Sequence, residues 1–143
     1  MKKLLIVMVA ALWLLAPTSM YADGGKREFR GAWMQFVNGM YLGKSTAEIQ
    51  QMLTHQLDEL EKDGANAIIF QVRGECDALY ESKIEPWSRY LTGVQGKAPS
   101  PYWDPMAWMI QQCHRRGMEF HAWINPYRAL MKSPTLLADN HIL

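Results

Sequence analysis

Two short stretches hold most of the side chains that could do chemistry. MEFHAWINPYR, from Met118 to Arg128, carries His121, Asn125, Tyr127 and Arg128, and QVRGECDALY, from Gln71 to Tyr80, carries Arg73, Glu75, Asp77 and Tyr80. A histidine can move a proton or bond a sugar hydroxyl, although a lone histidine is more commonly a satisfied core residue. Arginine and asparagine suit hydroxyl or carboxylate recognition, and an arginine just past a strand is as often a structural clamp. Asp77, close to Arg73, is the better placed of the two acids; substrate contact or support of Arg73 suits it better than acid/base work, for which it is a weak candidate. His55 and His114 fall on predicted helices and read as surface residues, and His141 lies in a tail without regular structure.

These groups must be positioned by regular elements. From Met118 to Asn125 apolar and polar residues alternate, so Phe120, Ala122 and Ile124 form one row of a strand and Glu119, His121, Trp123 and Asn125 the other. Pro126 ends the pairing and displays Asn125, Tyr127 and Arg128 on a loop. Phe29 to Val37 reads as an earlier strand with Gly31, Trp33 and Gln35 on its polar side, and Ala67 to Arg73 as a second with Ile69, Gln71 and Arg73 there. Ser45 and Glu48 form a capping box ahead of Ile49, Met52, Leu53, Leu57 and Leu60 at helical spacing, with Gly64 as the stop. Asp104, Pro105, Met106, Met109, Ile110, Cys113 and Gly117 repeat that grammar for a second helix.

Strand, helix, strand, helix, strand with short returns implies right-handed crossovers and a parallel sheet. Strands of a doubly wound sheet are apolar on both faces, whereas each strand here keeps one polar row. The fold class is therefore α/β, the N-terminal portion of a (β/α)8 barrel whose inward residues line a site at the C-terminal strand ends. Such a barrel needs about 250 residues, so the chain reads as its first three strands and two helices, without a completed third helix. The connection from Gly74 to Trp103 is far longer than a usual loop and forms a substrate wall or a small loop core, with Tyr80, Trp87, Tyr90, Tyr102 and Trp103 supplying rings that can stack on sugars. Tyr80, nearest the strand, is the ring assigned to the wall.

The 143 residues are 49% hydrophobic and 20% charged with a net charge of +1, the profile of a globular domain that draws neither nucleic acid nor acidic lipid. Lys2 and Lys3 before the apolar run Leu4 to Leu15, then Pro17, Ser19 and Ala22, are the layout of a signal peptide over residues 1–22, cut after Ala22. That implies a secreted or periplasmic protein, with residues 23–28 a short linker, residues 29–143 the domain, and no stable membrane anchor after cleavage. In an oxidising compartment Cys76 and Cys113 could pair; a loop thiol and a thiol on a helix stripe explain them equally well. With no HxH pair and no CxxC, no metal site or cofactor is expected.

Three segments together carry a resemblance: FRGAWMQF, NAIIFQVRGECDALYESKIEPWSRYLTG and PYWDPMAWMIQQCHRRGMEFHAWINPYR resemble the bacterial glycosyl hydrolase-like 10 family from about Phe29 to Arg128. The resemblance implies a barrel glycoside hydrolase of secreted or periplasmic type, with a polysaccharide or oligosaccharide as partner and peptidoglycan glycan strands as one substrate class. By residue type and position at the predicted strand ends, Gln35, Arg73, Asp77, Tyr80, His121, Asn125, Tyr127 and Arg128 are the expected substrate contacts, Asp77 as contact or support. The family's aspartate-rich motif after a later strand has no counterpart here, so the catalytic carboxylates are expected beyond Leu143. A non-catalytic glycan-binding protein, and a metal-dependent hydrolase barrel, are the alternatives.

Overall fold

A computed structural model describes residues 28–131 and 137–143. The expected signal peptide, most of the linker, and Ser133 and Pro134 of the tail lie outside them. Three strands form one sheet in the order β1 (Gly31–Met34), β2 (Ala67–Arg73), β3 (Glu119–Ile124), and both pairings are parallel. The helices are α1 (Thr46–Lys62), a short α2 (Arg89–Thr92) and α3 (Pro105–Arg115). This is an α/β unit with the strand and helix order of the opening of a (β/α)8 barrel.

Each long helix begins where its cap lies. Ser45 Oγ accepts the Glu48 N–H at 3.3 Å while Glu48 Oε2 accepts the Ser45 N–H at 2.7 Å, so two otherwise orphaned donors are satisfied reciprocally. Asp104 Oδ1 accepts the Ala107 N–H at 2.8 Å, and Pro105 fills a first-turn position that has no donor to lose. Past α1, Gly64 adopts φ +82°, a left-handed turn that carries the chain into β2.

Ile49, Leu53 and Leu57 of α1 and Met109 and Cys113 of α3 are buried against Met34, Ile68, Phe70 and Val72 of the sheet. Full burial of each large aliphatic side chain contributes roughly 1.5–3 kcal/mol relative to exposure. Arg116, just past α3, ties the two helices together by donating to Asp58 at 3.1 Å and 2.5 Å.

The strands depart from the sequence reading at the edges. β1 covers four residues instead of the expected nine, because Phe36 N–H turns to the side-chain oxygen of Gln71 (3.1 Å) rather than continuing the ladder. On β3 the apolar row is only partly covered. Phe120 packs on the core, but Ala122 is exposed and Ile124 is 52% exposed.

Candidate functional site

Because the strands are parallel, Met34, Arg73 and Ile124 end at the same side of the sheet. There Arg73 closes a knot with the loop after β3. Its Nε and Nη2 meet Glu85 Oε1 at 2.6 and 2.5 Å, Nη1 donates to the Asn125 carbonyl at 2.7 Å, and Nη2 lies 3.1 Å from Cys76 Sγ. The Glu85 carboxylate holds the Arg73 guanidinium above its ordinary range, against an opposing effect of burial. Asn125 answers with its own N–H to the Arg73 carbonyl at 3.0 Å and its side-chain Nδ2 to the Gly74 carbonyl at 3.2 Å. Its Oδ1 accepts the Trp123 indole N–H at 2.9 Å. Arg73 and Asn125 therefore meet as expected, but their polar atoms are largely spent on each other and on the loops.

The carboxyls are arranged differently from the sequence expectation. Asp77 does not hold Arg73. Cys76 takes a left-handed φ of 52°, turning the chain so that Asp77 Oδ1 accepts the Glu75 N–H at 3.0 Å. Asp77 is buried, and its Oδ2 has no hydrogen-bond partner among the described residues. Arg73 takes Glu85 instead.

Glu75, left aside in favour of Asp77 by the sequence reading, is fully buried and holds the loops together. Its Oε1 accepts the Met131 N–H at 2.8 Å and the Tyr90 O–H at 3.4 Å, while Arg89 Nη2 sits 2.8 Å from Oε2 as an ion contact without hydrogen-bond alignment. Its backbone oxygen accepts His141 Nε2 at 2.9 Å. His141, expected in an unstructured tail, is buried, and Leu143 N–H donates to its Nδ1 at 3.2 Å, which fixes the Nε2–H tautomer. The available signal for Glu75 was a second acid two residues from Asp77 with an Arg-Tyr pair downstream; the fold alone brings them together.

The remaining expected residues do not converge on Arg73 and Asn125. His121 pairs across the sheet with Ile69, opposite Trp33, so it lies well below the C-terminal end. It is exposed, bonds Glu119 at 3.0 Å and meets the Phe29 ring edge-on at 5.4 Å. Gln35, also exposed, lines a groove between β1 and α1 with Met40, Tyr41, His55 and Gln56. Tyr127 is 98% exposed, and Arg128 is exposed too. Tyr80 is half-buried on the core, and burial first, then Glu85, pushes its phenol up. Of the other rings, Trp103 is buried, Trp87 and Tyr90 pack against the core, and Tyr102 stands exposed with its hydroxyl on Glu81 at 2.7 Å. The loop is thus core and wall at once.

Cys76 and Cys113 are both buried and unpaired. His55 and His114 are exposed. Among the described residues no group of three His, Cys, Asp or Glu side chains could hold a metal ion, and no helix is long and apolar enough to cross a membrane.

Set beside known proteins, residues 28–141 match the family described as glycosyl hydrolase-like 10. The chain belongs to that family. It is 38% identical over 145 residues to glycosyl hydrolase YngK of Bacillus subtilis (strain 168), covering 97% of this chain and 28% of that protein. It is 46% identical over 79 residues to glycosyl hydrolase DigH of Escherichia coli (strain K12), covering 55% of this chain and 18% of that protein. The chain thus spans less than a third of either relative's length. Within the glycosyl hydrolase-like 10 family the parallel sheet agrees with the barrel that sequence patterning implied, and the knot of Arg73, Glu85 and Asn125 falls at the end of the sheet where barrel enzymes keep their sites.

Proposed function

We propose that this protein is the sugar-contacting opening part of an exported glycoside hydrolase acting on a polysaccharide, with peptidoglycan glycan strands as the favoured class. The observation that carries the reading is the clustering of Arg73, Asn125 and the aromatic loop at the C-terminal strand ends of a glycosyl hydrolase-like 10 chain. Export rests on the charge and apolar pattern of residues 1–22 alone. Arg73, Tyr80, Asn125, Tyr127 and Arg128 would form the rim that meets substrate. His121 would contribute from a deeper layer of the barrel interior and Gln35 from the β1 edge. Asp77 would act as a support that sets the turn beneath the rim.

Glycoside hydrolysis needs two carboxyl groups across the scissile bond, one giving a proton and one acting as nucleophile or base. Glu75 is tied to Arg89, Glu85 to Arg73, and Asp77 to the Glu75 N–H. None is placed to work as such a pair. The 143-residue chain by itself is therefore expected to hydrolyse no glycan. The purified chain is incubated with peptidoglycan glycan strands and a panel of other polysaccharides, and new reducing ends are counted. Turnover that disappears on Asp77→Asn would overturn this assignment. In a longer, active form carrying the same residues, alanine at Arg73 or Asn125 should lower kcat/KM yet leave measurable turnover.

A further inference from the structure

A cleft of about 320 Å³ opens at the C-terminal end of β1, bounded by Val37, Asn38, Gly39, Tyr90 and Met131. Its size is at the lower end of small-molecule pockets, roughly 300–1,000 Å³, which suits one sugar ring. One wall is unusually well fixed. The single oxygen Glu75 Oε1 takes both the Tyr90 O–H and the Met131 N–H, and Arg89 Nη2 donates to the Tyr90 hydroxyl at 3.1 Å, so ring and backbone are held as a unit.

The opposite wall is set by a close approach. A Cβ on Gly74 would lie 2.6 Å from Val37 Cγ1, so only glycine lets the segment after β1 settle over the end of β2. At that approach sits the buried Gln71 side chain. Its Oε1 is occupied by the Phe36 N–H, and its Nε2, 3.9 Å from the same Cβ position, has no partner among the described residues. A buried amide donor without an acceptor is costly unless something supplies one.

We propose that this cleft is a subsite for one uncharged sugar ring of a glycan chain. The inference rests on the glycan-acting reading above and adds the place and the charge of the ring bound. Tyr90, with the Arg89 guanidinium over its ring at 5.0 Å, lines the cleft with apolar ring surface that sugar C–H groups can meet. Asn38, exposed at the rim, offers an amide donor and acceptor to two adjacent hydroxyls, while Gln71, 1% exposed, lies behind the lining residues and supports the wall without touching a ligand. Among the described residues no charged side chain lines the cleft, and the Glu75 carboxylate behind it is already neutralised by Arg89. An anionic sugar therefore gains no partner there and loses hydration, which makes the subsite selective for neutral rings.

The test is an amide NMR titration of the 143-residue chain with cellotetraose, chitotetraose and the acidic tetragalacturonate. A neutral tetrasaccharide should shift the Gly39, Tyr90 and Met131 amides, with tetragalacturonate leaving them in place. Asn38→Ala should weaken the neutral ligand about tenfold, the loss of two hydrogen bonds worth roughly 1 kcal/mol or less each. Asn38→Asp, which keeps the acceptor and loses the donor, should fall between; both changes are at an exposed position, and unchanged amide dispersion verifies the fold. Neutral glycan bound with the same affinity by Asn38→Ala, or shifts confined to residues away from the cleft, would overturn the subsite and leave the glycan reading standing. Equal shifts with tetragalacturonate would overturn the selectivity for uncharged rings. No response to any glycan would overturn both readings together.

Discussion

The polar row of the sheet holds two regions built from similar residue types and used in opposite ways. At the C-terminal end Arg73, Asn125 and Glu85 are locked to one another, Glu75 is locked beside them to Arg89, Tyr90 and Met131, and the Arg73 and Glu85 side chains keep only 16% and 18% of their exposure. Lower on the same row His121 and Trp33 stand exposed, Trp33 at 67%, with Trp123 packed edge-on against it at 5.0 Å and a single histidine–glutamate contact at the surface. Buried polar groups with complete partner sets fix geometry, whereas exposed ones contribute little to stability and stay available. The end of the sheet where barrel enzymes in general keep their sites is thus first a rigid frame.

The sharpest way to break this contrast is Glu75→Ala. The change leaves Arg89 and the Met131 N–H without their acceptor inside the loop cluster. Removing one partner of a buried ion pair costs about 3 kcal/mol or more, so the urea midpoint should fall with the slope unchanged. A loss under about 1 kcal/mol, the scale of a surface pair, would show that Glu75 does not hold the loops together. Arg73→Ala comes next. It removes charge-assisted bonds worth about 1.5–3 kcal/mol, and part of the loss should be recovered in Arg73→Lys, which keeps the charge but not the fork that reaches both Glu85 and Asn125.

Cys113 offers a pH test of the core beneath the frame. Burial pushes its thiol from 9.0 up to about 11, with nearby Arg116 acting weakly in the other direction. As pH rises from 9 toward 11 the unfolded thiol loses its proton before the folded one does. The unfolded state then binds fewer protons, and stability falls with rising pH across that window. Tyr41 and Tyr80, also raised by burial, add to the same decline in any variant. Cys113→Ala should therefore show a shallower loss than the parent between pH 9 and 11. Equal slopes would place Cys113 outside the buried layer.

Elements written by local rules were legible in the sequence. The Ser45–Glu48 box, the Asp104–Pro105 start and the alternation of β2 depend on residues a few positions apart, and they appear where patterning puts them. Which acid Arg73 chooses was not legible. Asp77 is four residues away and Glu85 twelve, yet the left-handed turn at Cys76 directs Asp77 to the Glu75 N–H and leaves the arginine to Glu85. The buried His141 and the shortened β1 have the same cause. Each is decided by a contact made over a long sequence separation, His141 with the Glu75 carbonyl and Phe36 with the Gln71 side chain, and local periodicity carries no record of such partners.

The smallest expected effect is the one that completes the comparison. His121 keeps 45% of its side-chain exposure, and its one polar partner, Glu119, keeps 71%, so their contact lies in water where such pairs contribute between nothing and about 1 kcal/mol. The Phe29 ring meets it edge-on but is itself 57% exposed, which limits what that packing adds. His121→Ala should therefore move the urea midpoint of the chain by the equivalent of about 0.5 kcal/mol or less, against the several-fold larger loss for Arg73→Ala at the other end of the same row. Should His121→Ala cost as much as Arg73→Ala, the lower half of the row would be part of the frame and no longer a surface left free. Should it cost nothing while weakening neutral glycan binding in the NMR titration, the division between a structural end and an available face would stand, with His121 on the available side.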